Sequence, residues 1–250
     1  MVGTFSGEAI KRPPALVRDQ VAAQIREAIA DGELLPGQVL IERELCEATT
    51  ASRASVREAL RLLESEGLVT ATTGKGTVVT TLTAEQALEL YEVRSTLEGL
   101  AGWLFAQRAT EDDREALRLA LKEVEAAAPD IRGILAAKGR FYRALMQGAR
   151  NDELRLILEG VNRRATAVRA VSLSQPGRAV ESIKEIQEIC RAAIRGDADT
   201  TERLCKEHVR RAAEAGIPSL DRLADDRASV LNAPVHRAAA KTRTEEVREP

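Results

Sequence analysis

The sequence is poor in aromatic residues, which make up 2% of its 250 positions. A hydrophobic core must therefore be built from Leu, Val, Ile and Ala, whose helical spacing along the chain indicates a mainly α-helical protein. Histidine is also scarce, with only His208 and His236 present. A catalytic triad centred on histidine, or a metal site with several histidines, has little material here.

The chain also lacks paired cysteines and long apolar runs. Cys46, Cys190 and Cys205 are an odd number without CxxC spacing, which favours small buried hydrophobic residues over a disulfide or a zinc site. No apolar stretch approaches the ~20 residues that cross a bilayer, and the N-terminus lacks the apolar region of a signal peptide. We expect a cytoplasmic protein without a membrane partner.

Helical and strand patterns divide the chain into four segments. Three short helical patterns, the third capped by Ser52, precede the Val- and Thr-rich stretch LVTATTGKGTVVTTL, which predicts a two-stranded hairpin and the only β-structure. Six amphipathic segments joined by short loops then indicate an antiparallel bundle. The predicted segments are a flexible arm (1–14), a winged helix-turn-helix (15–82), an all-helical effector and dimerisation domain (83–220) and a disordered tail (221–250).

The stretch SRASVREALRLLESEGL places arginines one helical turn apart, in a chain with a net charge of -2. Arg61 has Glu58 and Glu64 at helical neighbour positions, which predicts a surface ion pair. Arg53 and Arg57 have no acidic residue at these offsets and repel one another. This arrangement indicates a nucleic-acid contact, in which phosphate or guanine supplies the missing negative partner, rather than ordinary surface charge.

Other polar residues near this helix suit the same contact. Thr50, Ser52 and Ser55 carry hydroxyl groups that can bind phosphate oxygens, and Lys75 lies at the predicted hairpin tip between two glycines. A Gly-Lys-Gly turn can also be no more than a hairpin. Residues 8–80 contain nine Lys and Arg against eleven Asp and Glu. A basic footprint must therefore be local, with the acidic residues facing away.

The segments VAAQIREAIADGELLPGQVLIERELCE, SRASVREALRLLESEGLV and GKGTVV resemble the DNA-binding domain of GntR-family bacterial transcription regulators. LYEVRSTLEGLAGWLFAQRAT resembles the first effector-domain helix of the FadR branch, of FCD type. The resemblance implies a homodimer on a short palindromic operator, with a ligand in the helical domain altering DNA affinity. By motif position it implies DNA contacts at Arg43, Arg53, Arg57 and Gly74, with Ala54 and Ser55 at neighbouring contact positions.

This chain departs from the family pattern at two places in the reading segment. Thr50-Ala51 replaces the usual Gly-Val before the Ser-Arg pair, and Ser55 replaces a common proline. The fold is expected to tolerate both changes, whereas the operator sequence stays open.

Many FCD proteins hold a divalent metal with one Asp and three His. At the matching positions this chain has Lys138, Tyr142 and Ile186, and only His208 agrees with the pattern. One ligand of four cannot form the site, and a lysine ammonium repels a cation. We predict no bound metal and no other cofactor.

These positions still indicate a ligand pocket. Lys138 and Tyr142 fall on the apolar face of their helix, His208 lies among apolar residues, and Arg94 matches a family arginine near the effector pocket. We therefore expect these four residues to converge on an anionic organic effector, such as a carboxylate or an acyl compound, acyl-CoA included. Alternatively Lys138 reaches solvent or pairs with an internal acid such as Glu98, and His208 is a satisfied core histidine.

The pattern as a whole favours a ligand-responsive, DNA-binding repressor rather than an enzyme. The sequence has no GxSxG elbow, P-loop or metal cluster on which an enzyme of the helical bundle could rely. A constitutive DNA-binding protein with a decayed effector pocket remains the main alternative.

Overall fold

The computed structural model describes residues 16–30, 32–74 and 76–220. The predicted N-terminal arm (1–14), the predicted C-terminal tail (221–250) and Lys75 lie outside these ranges. Within them the chain is mostly helical, with a winged helix-turn-helix followed by a helical bundle, as the sequence predicts.

The N-terminal part consists of three helices and three short strands. The elements are α1 (Val17–Ala30), β1 (Val39–Leu40), α2 (Glu42–Thr49), α3 (Arg53–Ser65), β2 (Val69–Thr72) and β3 (Gly76–Val79). All strand pairs are antiparallel, in the order β1-β3-β2. The expected hairpin is confirmed as β2 and β3, whereas the expectation that it is the only β-structure is wrong, because β1 pairs with β3. With two residues, β1 is too short to show the alternation of apolar and polar residues by which a strand is recognised.

The helices of this part enclose a small apolar core beneath the sheet. Val21 and Ile25 of α1 are buried with Val56, Leu60 and Leu63 of α3. The predicted cap of α3 is confirmed, because the Ser52 hydroxyl accepts a hydrogen bond of 3.2 Å from the Ser55 backbone N–H. Burial of one face of α3 leaves the opposite face, with its arginines, exposed.

The remainder of the described chain is helical. Its helices are α4 (Ala84–Arg108), α5 (Glu111–Ala126), α6 (Ile131–Gly148), α7 (Asp152–Arg164), α8 (Thr166–Ser174), α9 (Arg178–Ile194) and α10 (Ala198–Gly216), followed by a 3₁₀ turn (Ile217–Ser219). The expected single helix over 152–173 is wrong, because Ala165 (φ -75°, ψ -9°) separates two helices. No Gly or Pro marks this break, and the apolar period continues through it.

Helix α4 lies at the centre of this bundle and packs along α10. The predicted capping box at its start is confirmed between Thr83 and Gln86. Phe105 of α4 and Phe141 of α6 are fully buried in the main core, beside Cys190 and Cys205. These two cysteines fill the role expected of them, whereas Cys46 is only half-buried.

No helix in the described ranges is long and apolar enough to cross a membrane.

Candidate nucleic-acid interface and buried polar cluster

The first turns of α3 present the predicted reading residues. Arg53, Ala54 and Arg57 are exposed, and Ser55 is half-buried. The Ser52 hydroxyl lies 3.0 Å from the Ser55 hydroxyl, so capping of the helix engages both side chains. The start of α3 thus faces away from the core and presents both guanidinium groups on the surface.

The structure changes the pairing expected for two of the three arginines. The Nε of Arg57 lies 2.9 and 3.0 Å from the carboxylate oxygens of Glu42, on α2. Arg61 makes no ion pair with the described residues, whereas Glu58 lies 4.0 Å from Arg18 and Glu64 accepts from a backbone N–H. The expectations that Arg57 lacks an acidic partner and that Arg61 pairs with its helical neighbours are thus wrong. Arg53 alone fits its prediction, with no ion pair to the described chain.

The other predicted contact residues lie around α3. The side chain of Arg43 is 73% exposed, with Glu47 at 3.8 Å. Thr50 ends α2 in the left-handed conformation (φ 54°), which is unfavourable for a β-branched residue and which the glycine of the family pattern would adopt without strain. Gly74 is exposed at the hairpin with φ 80°, and Lys75 beside it lies outside the described residues.

The helical domain contains a chain of buried polar side chains that joins three helices. Lys138 Nζ of α6 donates to Ser182 Oγ of α9 at 2.5 Å and lies 3.2 Å from His208 Nε2 of α10. The other imidazole nitrogen, Nδ1, lies 2.5 Å from a carboxylate oxygen of Glu185. Since Nε2 accepts a hydrogen bond from the lysine, Nδ1 carries the ring proton and donates a hydrogen bond to Glu185. Arg178 also binds this carboxylate, at 2.8 Å.

A second group of buried side chains surrounds Tyr142. Arg94 forms an ion pair of 2.8 Å with Glu98 and donates to Asn162 Oδ1 at 3.1 Å. The guanidinium carbons of Arg94 and Arg169 lie 5.7 and 5.2 Å from the centroid of the Tyr142 ring. The Tyr142 ring lies in turn 6.4 Å from His208, which links this group to the lysine. Both groups therefore form one buried polar cluster.

The four predicted pocket residues converge, but with different partners from those expected. Arg94, Lys138, Tyr142 and His208 are each at most 4% exposed. The alternative in which Lys138 reaches solvent or pairs with Glu98 is wrong, because Lys138 is buried and forms no ion pair with a described residue, while Glu98 is bound to Arg94. His208 has two hydrogen-bonding partners, as the alternative of a satisfied core histidine requires.

Sequence reasoning missed five members of the cluster and considered a sixth, Glu98, only as a partner of Lys138 and not of Arg94. The five are Asn162, Arg169, Arg178, Ser182 and Glu185. Glu98 stands four residues after Arg94, an offset that could have identified the pair. The others lie on helices far apart in sequence, where only the packing of α7, α8 and α9 brings them together.

Burial and mutual repulsion shift the ionisation of these groups. Burial lowers the pKa of Lys138 well below its usual value, and the positive charges of Arg169 and Arg94 lower it further. Burial also lowers the pKa of His208 to about 3, aided by Lys138. Although burial opposes it, hydrogen bonds from His208 and Arg178 hold the pKa of Glu185 at about 2. The cluster thus combines a neutral imidazole with an ionised carboxylate.

The depressed pKa of His208 predicts loss of stability on acidification. In the unfolded chain the imidazole of His208 binds a proton below about pH 6.5. In the folded protein it stays neutral until about pH 3. The free energy of unfolding of the wild type should fall by roughly 2 kcal/mol between pH 7 and pH 5 through this group. Urea titrations at both pH values, compared with His208→Gln, measure it. An equal fall in the variant would contradict the assignment.

The cluster does not fit the divalent metal that the family resemblance implies. Both ring nitrogens of His208 already have partners, Lys138 Nζ at 3.2 Å and a Glu185 carboxylate oxygen at 2.5 Å, and Ile186 is packed in the apolar core. Among the described residues no group of three or more His, Cys, Asp or Glu is placed to hold a metal ion. An ammonium nitrogen stands where a cation would have to bind.

Comparison with known proteins gives two family matches that follow the architecture. The model of "Bacterial regulatory proteins, gntR family" matches residues 17–79, and that of "FCD domain" matches residues 89–211. The "Uncharacterized HTH-type transcriptional regulator YdhC" of Bacillus subtilis is 31% identical, over 66% of this chain and 75% of its own length. The "Probable D-xylose utilization operon transcriptional repressor" of Paenarthrobacter nicotinovorans is 32% identical, over 78% and 88%.

Solved structures agree with the fold. A GntR transcriptional regulator of Rhodococcus sp. RHA1 superposes with a TM-score of 0.69 at 25% identity, covering 81% of this chain and 98% of the other. McbR/YncC of E. coli shares the fold, with a TM-score of 0.71 at 21% identity, covering 84% of this chain and 100% of its own.

Proposed function

The chain belongs to the GntR family of bacterial regulatory proteins, with an FCD domain after its winged helix-turn-helix, and we propose that it is a ligand-controlled repressor. As a homodimer it binds a short palindromic operator, and a small organic anion in the helical domain releases it. Its matched relatives are named as transcriptional regulators, not enzymes. One of them is named a repressor. The bacterial cytoplasm is where this function would be exercised.

The exposed start of α3 supports the DNA-binding half of the proposal. Arg53 and Arg57 take the role of base-reading residues, with Arg43, Thr50, Ser52, Ala54 and Ser55 around them and Gly74 and Lys75 on the wing. A recognition helix contacts base edges with its N-terminal residues, and hydroxyl groups beside it bind phosphates. A two-fold symmetric dimer places two such helices on two half-sites, which accounts for a palindromic operator.

The buried cluster carries the effector half of the proposal. Within the described ranges, Lys138 and Arg169 have no carboxylate partner, and the hydroxyl of Tyr142 has no hydrogen-bonding partner. Buried polar groups are ordinarily satisfied, so unpartnered donors beside unpaired cations favour an anionic ligand that contacts Lys138, Tyr142, His208 and Arg94. A decayed pocket would be expected to fill with apolar side chains instead.

Selection of an operator followed by ligand release tests the proposal. The full chain would be used to select binding sites from random double-stranded DNA, and small carboxylates and acyl-CoA thioesters would then be added to the complex. We expect symmetric half-sites, a dimer on each site, and release of DNA by one ligand class. Release should be lost in Lys138→Met, whose operator affinity is unchanged. Full retention of DNA with every ligand would support a constitutive binder and contradict the effector half.

A further inference from the structure

The four buried basic side chains of the cluster are unequally supplied with carboxylates. Arg94 and Arg178 each form an ion pair of 2.8 Å with a glutamate. Lys138 and Arg169 make no ion pair with any residue in the described ranges. Because an unpaired buried charge is costly, the structure has two separate positions at which an anionic group would be stabilised.

The free atoms of Arg169 have the geometry of an acid-binding site. Its Nε and Nη2 are both buried, and neither has a hydrogen-bonding partner in the part of the chain that the structure describes. These two N–H groups lie side by side on one edge of the guanidinium, the arrangement that binds a carboxylate or a phosphate with two parallel hydrogen bonds. Asn162 Nδ2 and the Tyr142 hydroxyl are also unpartnered and buried. They can donate to the same anion.

This part of the cluster opens into a cavity of about 350 Å³. Tyr142, Asn162 and Arg169 form one wall of the cavity, and Ala23 and Arg26 of α1 form part of another. The volume is of the size that holds a small organic ligand. A molecule in this cavity would contact both the effector domain and the winged helix-turn-helix.

The walls of the cavity carry more positive than negative side chains. They include five arginines, Arg26, Arg140, Arg143, Arg163 and Arg169, against Glu27 and Glu159. Arg26 and Arg163 both face the carboxylate of Glu66, at 2.7 and 3.9 Å, and Arg140 pairs with Glu123. Arg143 and Arg169 make no ion pair within the described chain and supply the surplus. Such a surplus raises the local concentration of anions and favours their entry.

We propose that the effector is a small organic acid with two anionic groups (a dianion for short), either a dicarboxylate or a phosphorylated acid, whose second acidic group binds the Nε–Nη2 edge of Arg169. It enters through the cavity between α1 and the helices α6 to α8. This inference rests on the proposed function, in which the first acidic group binds at Lys138. Arg169 is thus the residue that selects dianions over monoanions of the same length.

Calorimetric titration of the full chain with matched acids tests this selection. Succinate would be compared with butyrate, and 3-phosphoglycerate with glycerate, at constant ionic strength. We expect the preferred dianion to bind at least about tenfold more tightly than its monoanionic counterpart, the difference that one charged hydrogen-bonded contact supplies. Whichever pair shows the larger difference in affinity identifies the second acidic group as a carboxylate or as a phosphate. Equal affinities within both pairs, or no binding by either dianion, would overturn the proposal.

Two substitutions at Arg169 provide the structural control. Arg169→Met should abolish the preference for the dianion, and Arg169→Lys, which keeps the charge but not the two-pronged edge, should restore only part of it. Without ligand, the Tm of Arg169→Met should equal or exceed that of the wild type, because an unpaired buried charge is removed. A preference for the dianion that persists in Arg169→Met, or a large fall of its Tm without ligand, would refute the assignment.

The outcome is separable from that of the proposed function. Dianion binding that depends on Arg169 without any release of DNA would support this inference and contradict the proposed control by ligand. Release of DNA by monoanions and dianions alike, unaffected by Arg169→Met, would support control by ligand and contradict this inference.

Discussion

Replacing Arg53 with alanine should weaken operator binding by roughly 10- to 100-fold, because a two-pronged contact of arginine with guanine contributes about 1–3 kcal/mol of discrimination. Arg53 is exposed at the first turn of α3 and has no ion pair with the described chain. Its guanidinium group can therefore bind DNA without losing an internal partner. Fluorescence anisotropy with the selected operator, at one fixed salt concentration, measures the change.

Arg57 should respond differently because Glu42 already holds it. Its side chain is 62% exposed, but the carboxylate at 2.9 Å must share it with DNA or release it. Arg57→Ala is therefore expected to cost less affinity than Arg53→Ala. Glu42→Gln should increase affinity, because it removes a negative charge from the contact surface and frees the arginine.

A matched control comes from Arg203, an exposed arginine of α10 that forms an ion pair of 3.0 Å with Glu207. Arg203→Ala removes the same charge from the effector domain and should leave operator affinity within about threefold of the wild type. An Arg53→Ala variant that binds as tightly as this control would refute the assignment of α3 as the reading helix. A loss that is equal on unrelated DNA would instead make Arg53 a phosphate contact.

The pairing of the α3 arginines shows where sequence reasoning stops. Offsets of three and four residues correctly identified Arg53 as unpaired. They failed for Arg57, whose partner Glu42 lies 15 residues away on α2. They failed also for Arg61, since the nearby acids face other groups. Helical spacing places two side chains on one face, but the packing of neighbouring elements decides which of them meet.

The helical domain shows the same limit in its core. Apolar spacing predicted most helices, because burial of one face imposes a period that can be read along the chain. It could not predict the break at Ala165, which no breaker residue marks. In the winged helix-turn-helix it likewise could not predict the two-residue strand β1. For the site, the four predicted residues were found together, whereas Arg169 and Glu185 became visible only when α8 and α9 were placed against α6 and α10.

Arg94→Met should destabilise the helical domain, whereas Lys138→Met should not, although both remove a buried basic side chain. Arg94→Met leaves Glu98 buried without its counter-charge, which should cost about 3–5 kcal/mol. Lys138 has no carboxylate partner, and its replacement relieves an unfavourable burial while losing hydrogen bonds to Ser182 and His208. The free energy of unfolding of this variant should stay level or rise.

Urea titration followed by tryptophan fluorescence reports on this domain, because the chain has a single tryptophan, Trp103, and it lies in α4. The double variant Arg94→Met/Glu98→Leu tests the cause, since removing both charges should recover most of the loss caused by Arg94→Met. If the double variant is as unstable as the single one, lost packing around Tyr91 and Tyr142 would be responsible instead of the stranded carboxylate. If Lys138→Met is also strongly destabilised, Lys138 has a stabilising partner in the folded protein, and the first anion position of the effector pocket is lost. The changes in the free energy of unfolding of Arg94→Met and Lys138→Met therefore decide between two roles of the cluster, a structural ion-pair network and a binding site for an anion.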